Sequence, residues 1–197
     1  MTKNNTKIRT LEPEEFARFM SVIPRKAYAE SSTRNYAFFW LLAVTGMRVG
    51  EGCFLRMDDL HLEEPKHLIT PFEGKTGKRY LPIPEEPEAL KALDAWLAIR
   101  QEKYPGSPYV FVTRGEHPMD VSNPERAMRT YAKKAGITRV QMTPHVLRHT
   151  YASKFLNHSG NLRQLQVLLG HKNIETTTIY LQVANPELQK AVKGMKW

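Results

Sequence analysis

The chain has 197 residues, enough for one domain or a compact two-lobed unit and too few for several independently folded modules. Hydrophobic residues make up 41% and charged residues 25%, which excludes a disordered or fibrous chain and permits a packed core. Lys and Arg number 29 against 20 Asp and Glu, a net charge of +9, so a polyanionic partner is expected, nucleic acid first and an anionic membrane surface second.

A short amphipathic helix opens the chain: Pro13 sits near its start, Phe16, Phe19 and Met20 are apolar, and Pro24 stops it. Thr33 is the expected cap of a second helix through Phe38, Phe39, Trp40, Leu41, Leu42 and Val44, apolar nearly all round and therefore central in the core. Gly46 breaks it, and a third, short helix carries Arg48, Glu51, Phe54 and Leu55. Between Asp58 and Pro84 the texture changes to three short apolar pieces, Leu60 to Leu62, His67 to Thr70 and Arg79 to Ile83. The basic turn Gly74-Lys75-Thr76-Gly77-Lys78 lies between the last two. This predicts a small three-stranded antiparallel sheet.

Pro87 starts a helix with Leu90, Leu93, Trp96, Leu97 and Ile99 on one side, and Tyr109 to Val112 reads as a brief buried strand. Helices are expected at Asn123 to Lys134, Thr143 to Asn157, Asn161 to Leu169 and Ile174 to Val183, with a last one after Pro186. Thr143-Pro144 reads as an N-cap with proline at the first helical position, and Gly160 and Gly170 punctuate the turns. The fold class is mainly α with one small three-stranded antiparallel β-sheet, an α+β arrangement.

The charge is unevenly spread. Residues 1 to 98 carry 14 basic and 14 acidic side chains and residues 99 to 197 carry 15 and 6, so the whole excess lies in the second half. From Arg126 to Ile174 there is no carboxylate, while Arg126, Arg129, Lys133, Lys134, Arg139, Arg148, Lys154, Arg163 and Lys172 fall there with four of the seven histidines. A solvated basic face is one reading, and a phosphate-binding surface is the stronger one. Cys53 is the single cysteine, so no internal disulfide and no paired-thiol metal site is expected, and the setting is reducing and cytoplasmic. Residues 1 to 10 hold no secretory signal, and the longest strongly apolar run, Tyr36 to Val44, is too short to span a bilayer.

His145 and Arg148 are three apart near the start of their helix and share a face at its positive end, which suits an anion. His145 and His149 have the four-residue spacing of zinc ligands, but Val146 stands where a zinc protease places its glutamate and no third ligand follows. His149 is therefore expected to pack on the adjacent helix face. Arg48 follows a glycine break with Glu51 one turn on, which reads as a local ion pair. Leu168-Leu169-Gly170-His171 puts a histidine after a helix-ending glycine, and Tyr180 follows nine residues later.

In this order, Gly-Met-Arg-x-x-Glu, a basic Gly-Lys turn, His-x-x-Arg-His, Leu-Gly-His and the tyrosine resemble the tyrosine recombinase (phage integrase) family over about residues 11 to 190. The resemblance implies that catalytic-domain fold and a catalytic set of Arg48, Lys75, His145, Arg148 and His171, with Tyr180 as nucleophile and Glu51 in support. Chemistry agrees: two guanidiniums can grip the nonbridging oxygens of a phosphodiester as charge builds on them, and a tyrosine needs a base or a strongly positive site to react as phenolate. His145 is the candidate base and His171 an orienting or assisting group. Lys75 is the first choice of acid for the leaving oxygen, and Lys78 is the alternative because the turn is about one residue shorter than in many relatives.

The implied activity is site-specific cleavage and rejoining of DNA strands through a 3′-phosphotyrosine, with no metal and no other cofactor. Its alternatives are a type IB topoisomerase-like relaxing enzyme and a non-catalytic DNA-binding accessory protein. Lys78, Arg79, Arg126, Arg129, Lys133, Lys134, Arg139 and Lys172 are expected to contact double-stranded DNA. The resemblance further implies a tetramer on synapsed sites that is weakly associated or monomeric when free. Residues 1 to 10 then form a tail and 11 to 185 the catalytic domain. Residues 186 to 197 are either exchanged with a neighbouring protomer or packed on their own domain. The family's usual N-terminal core-binding domain is absent from this sequence, so the chain reads as a fragment or a minimal single-domain member, with weak and steeply salt-dependent DNA affinity.

Overall fold

The second helix organises everything around it. In the computed structural model, which describes residues 10–25, 30–71, 77–159, 161–170, 192–193 and 195, α1 spans Pro13–Ser21, α2 Glu30–Thr45 and α3 Val49–Cys53. Every residue of α2 from Thr33 to Thr45 is buried, as its all-round apolar sequence requires. Phe39 and Trp40 take the α1 rings, with Phe19–Phe39 and Phe16–Trp40 centroids at 5.4 and 5.1 Å, while Phe38 meets Phe111 edge-on at 4.9 Å. α2 begins three residues ahead of its expected cap, so Thr33 lies inside the helix. Its first turn is held from outside instead: the Glu30 carboxylate accepts from the Tyr104 hydroxyl at 2.6 Å and from Lys103 at 3.1 Å.

The sheet forms where expected. β1 (Leu60–His61), β2 (His67–Ile69) and β3 (Tyr80–Pro82) pair antiparallel in the order β1-β2-β3, with Leu60 opposite Leu68 and Leu68 opposite Leu81. The cross-strand pair His61 and His67 stacks at 4.4 Å, and His67 continues onto Tyr80 at 4.5 Å. Lys75 lies outside the described residues.

Four helices follow: α4 (Pro87–Lys103), α5 (Ser122–Lys134), α6 (Pro144–Ser159) and α7 (Leu162–Leu169). Between α4 and α5, the expected strand at Tyr109 to Val112 is present only as isolated bridges, Arg56 to Tyr109 and Val112 to Pro118. Three of its four carbonyls are taken by side chains, and the fourth, Phe111 O, accepts from Met119 N at 3.1 Å. Trp96 Nε1 donates to Val110 O at 2.8 Å, Arg34 Nη1 to Val112 O at 2.9 Å and Arg100 Nε to Tyr109 O at 3.0 Å. Three buried donors thus replace a ladder.

α1 is tied to the far end of the fold. Leu11 N donates to Thr150 Oγ1 on α6 at 2.9 Å, and Arg139 grips Glu15 with Nε at 3.0 Å and with Nη2, which also reaches Thr10 O at 2.6 Å. Val192 and Met195 are buried in the core of the chain itself. The expected helix at 174–183 lies outside the described residues. Among the described residues no helix is long and apolar enough to cross a membrane.

Trp96→Phe keeps the ring but strands the buried Val110 carbonyl, so urea titration should show unfolding free energy lower by about 1–3 kcal/mol with an unchanged m-value.

Candidate anion-binding site

Four stretches distant in sequence meet at the C-terminus of α7. Asn161 caps the start of this helix by accepting from Gln164 N at 2.9 Å, and Gly170 ends it in the left-handed conformation at φ 63°. The Gly170 N–H turns back to the Gln166 and Val167 carbonyls. The next three carbonyls each receive a different guanidinium. Arg79 Nη1 donates to Leu168 O at 2.5 Å, Arg148 Nη2 to Leu169 O at 2.5 Å and Arg48 Nη2 to Gly170 O at 3.4 Å. The negative end of the helix dipole thus gathers three cations.

Arg48 is placed by its own local geometry. It is the N-cap of α3, where its backbone N–H donates to Glu51 Oε2 at 2.7 Å and its Nη1 donates to Glu51 Oε1 at 3.0 Å. Glu51 is 4% exposed and is also ion-paired with Arg79. Burial pushes the Glu51 carboxyl up, but Arg79, the Arg48 backbone bond and the Arg48 charge together hold it below its ordinary value.

Arg148 comes from α6 and is 8% exposed. Its Nη1 donates to Gly46 O at 2.7 Å, which links it to the break between α2 and α3. Gly46 is held at φ 64°, and a Cβ there would run into the ring of Tyr151 beneath it. Burial, then the neighbouring charges of Arg79 and Arg48, lowers the Arg148 guanidinium to about 10, which leaves it charged at neutral pH. Three guanidiniums and one carboxylate leave a net excess of two positive charges, so the centre is suited to an anion.

His145 stands one turn before Arg148 in the first turn of α6, exposed. His149, expected to pack, is exposed as well, and its pKa is lowered by partial burial and by the charges of His145 and Arg148. Arg48, Glu51, His145 and Arg148 are therefore placed by the described structure, whereas Lys75, His171, Tyr180 and Lys172 lie outside the described residues.

Two residues expected at a DNA surface have partners within the fold, one of them buried and the other still exposed. Arg79 is 2% exposed: it stands one residue before β3, whose residues are all buried, and its guanidinium is taken by Glu51 and the end of α7. Arg139 is engaged by Glu15 and the Thr10 carbonyl, a partner supplied from the other end of the chain. Arg126, Arg129, Lys133 and Lys134 are exposed on α5, opposite buried Met128 and Tyr131, and Lys78 is exposed beside the β2–β3 turn. The inward role of Arg79 carries no local sequence signal, since its neighbours in β3 are all buried and its partners Glu51 and Leu168 lie far along the chain.

The sequence model of the phage integrase family matches residues 9–187. The chain is 34% identical over 189 residues to tyrosine recombinase XerA of Pyrococcus furiosus, covering 94% of this chain and 61% of that protein. It superposes on the crystal structure of a XerA recombinase with a TM-score of 0.72 at 35% identity, over 96% of this chain and 63% of the other. The XerH site-specific recombinase bound to its difH substrate, in a pre-cleavage complex, gives a TM-score of 0.73 at 25% identity, covering 92% of this chain and 52% of that one. The chain spans about three fifths of the length of the curated relative.

Because Glu51 has a lowered pKa in the folded state, its stabilisation is present above its ordinary value near 4.5 and is lost as pH falls through the lower folded-state value. In urea titrations from pH 6 to pH 3, Glu51→Gln should show a shallower decline of stability than the parent chain. An equal slope in both would show that Glu51 is not among the titrating groups. Gly46→Ala should destabilise by more than about 1 kcal/mol, since it combines a positive φ with the Tyr151 ring.

Proposed function

Since the chain belongs to the phage integrase family, we propose that it is the catalytic part of a site-specific tyrosine recombinase, which cuts and rejoins double-stranded DNA without metal or other cofactor. The observation that carries this reading is the convergence of Arg48 and Arg148 on the end of α7, one residue before His171 and ten before Tyr180. Anchored by one acceptor bond each to α7, both guanidiniums keep further N–H groups for the nonbridging oxygens of a phosphodiester. The geometry is set by the fold before substrate arrives, which is the condition for electrostatic stabilisation of a transition state.

In the proposed reaction the Tyr180 oxygen attacks phosphorus and loses its proton to a base, for which exposed His145 is the candidate. The bond from phosphorus to the 5′ oxygen breaks, and that oxygen takes a proton from Lys75, or from Lys78 on the same turn. The product is a 3′-phosphotyrosine and a free 5′-hydroxyl. Attack by an incoming 5′-hydroxyl reverses the sequence and reseals the strand, so no net energy source is required. His171 orients the phosphate, and the exposed row Arg126, Arg129, Lys133 and Lys134 contacts the DNA backbone. Four copies on two synapsed sites in the cytoplasm complete the proposal.

A nicked duplex that loses its short 5′ product on cleavage tests it, because the covalent protein–DNA species then accumulates. The adduct should form on the 3′ end with the parent chain and be absent with Tyr180→Phe. Arg148→Ala and Arg48→Ala should each slow it by about 10²–10³-fold, the typical cost of removing a preorganised donor to a developing oxyanion. Strand exchange between two sites separates a recombinase from a relaxing topoisomerase. No adduct on any site drawn from the host DNA would overturn the catalytic reading.

A further inference from the structure

We propose that Arg79 is a positioning residue for this centre, the buried side chain that sets where Arg48 and Arg148 hold their guanidiniums. The inference deepens the reading above and rests on it. Arg79 is itself fixed first through its backbone: Thr70 N donates to Arg79 O and Arg79 N to Thr70 Oγ1, both at 2.9 Å, with Thr70 only 1% exposed. These two bonds close the base of the β2–β3 turn. From there the side chain runs directly against Gly170, where an added Cβ would meet Arg79 Cδ at 2.5 Å.

Its two terminal nitrogens then divide. Nη2 takes Glu51, whose Oε1 is shared with Arg48 at 3.0 Å, and Nη1 takes Leu168 O, the carbonyl next to the one that holds Arg148. One planar fork thus spans the carboxylate that fixes one cradle arginine and the helix end that fixes the other. At 2% exposure Arg79 is closed off from a DNA phosphate and acts through its neighbours. Stability alone does not account for its charge. A buried guanidinium facing two others bears a desolvation and repulsion cost, and burial is the main influence pulling its pKa down. An apolar side chain of similar length would fill the space without that cost. Lysine, a point charge without the fork, cannot serve both acceptors in the same way.

The test uses the full chain, with Arg79→Met and Arg79→Lys beside the parent. In 15N-arginine-labelled protein, the Nε–Hε signals of Arg48 and Arg148 should shift and exchange with water at least tenfold faster in Arg79→Met. Arg79→Lys should be intermediate, and Arg34, buried behind Val112, should be unchanged. Adduct formation on the nicked duplex at saturating DNA should fall about 10²-fold in Arg79→Met, the scale of loss for a misplaced reacting group, with DNA affinity within twofold of the parent. Unchanged Arg48 and Arg148 signals in the folded variants would overturn the proposal. So would weakened DNA affinity at an unchanged rate, which would make Arg79 a phosphate contact. If Arg79→Met fails to fold, Arg79→Lys decides by the same signals. If the parent chain forms no adduct, the recombinase reading fails while the arginine signals still judge this one.

Discussion

The structure depends on how one helix end is satisfied. An α-helix leaves its last carbonyls without intrahelical partners, and burying them unpaired would cost about 1–3 kcal/mol each. At α7 the Gly170 N–H serves Gln166 and Val167, and the next three carbonyls, Leu168, Leu169 and Gly170, go to Arg79, Arg148 and Arg48 in turn. The capping of a short helix and the assembly of a cationic centre are therefore a single event. The side chains that satisfy the helix end are drawn from the residue before β3, from α6 and from the start of α3, so this helix end is satisfied only once the rest of the fold is built.

The electrostatics of that arrangement explain why a carboxylate sits in it. Three guanidiniums held within reach of successive carbonyls repel one another, and helix carbonyls offset only part of this with partial charges. Glu51 bridges Arg48 and Arg79 while Arg148 is left with carbonyl partners alone, and Arg148 is the arginine whose pKa falls to about 10. A second carboxylate would halve the excess charge of the centre and compete with any incoming anion. With one, the repulsion is contained but not removed, and an anionic ligand would relieve what remains.

Much of this was legible in the sequence because it follows from local rules. The apolar run of α2, the three strands flanking a Gly-Lys turn, the Gly170 helix end and the Pro144 helix start all come from short-range patterns, and each forms close to its expected place. Glycine breaks and helical spacing mark Arg48, Glu51, His145 and Arg148 one by one, but only the ordered resemblance to the tyrosine recombinase family joins them into one set. What escaped depends on partners far along the chain. Thr33 is no cap because Tyr104 and Lys103 hold the first turn at Glu30, and Tyr109 to Val112 is no strand because Trp96, Arg34 and Arg100 occupy three of its four carbonyls. The carboxylate-free stretch offers its arginines no local partner, yet Arg139, still exposed, finds Glu15 124 residues away.

Arg79 carries the same lesson into the site. Counted as charge beside a basic turn, it belongs with Lys78 on the surface. It goes inside because every residue of the strand that follows it is buried, and Glu51 and Leu168 O are both there to receive the guanidinium. Adjacent residues thus divide the work: Lys78 stays in solvent beside the turn, while Arg79 fixes the base of that turn to the arginine centre. The bonds that hold Arg79 begin at Thr70 and at Arg79 itself, outside the segment that carries the proposed proton donor Lys75, so the placing of the arginine centre and the supply of the proton rest on separate residues.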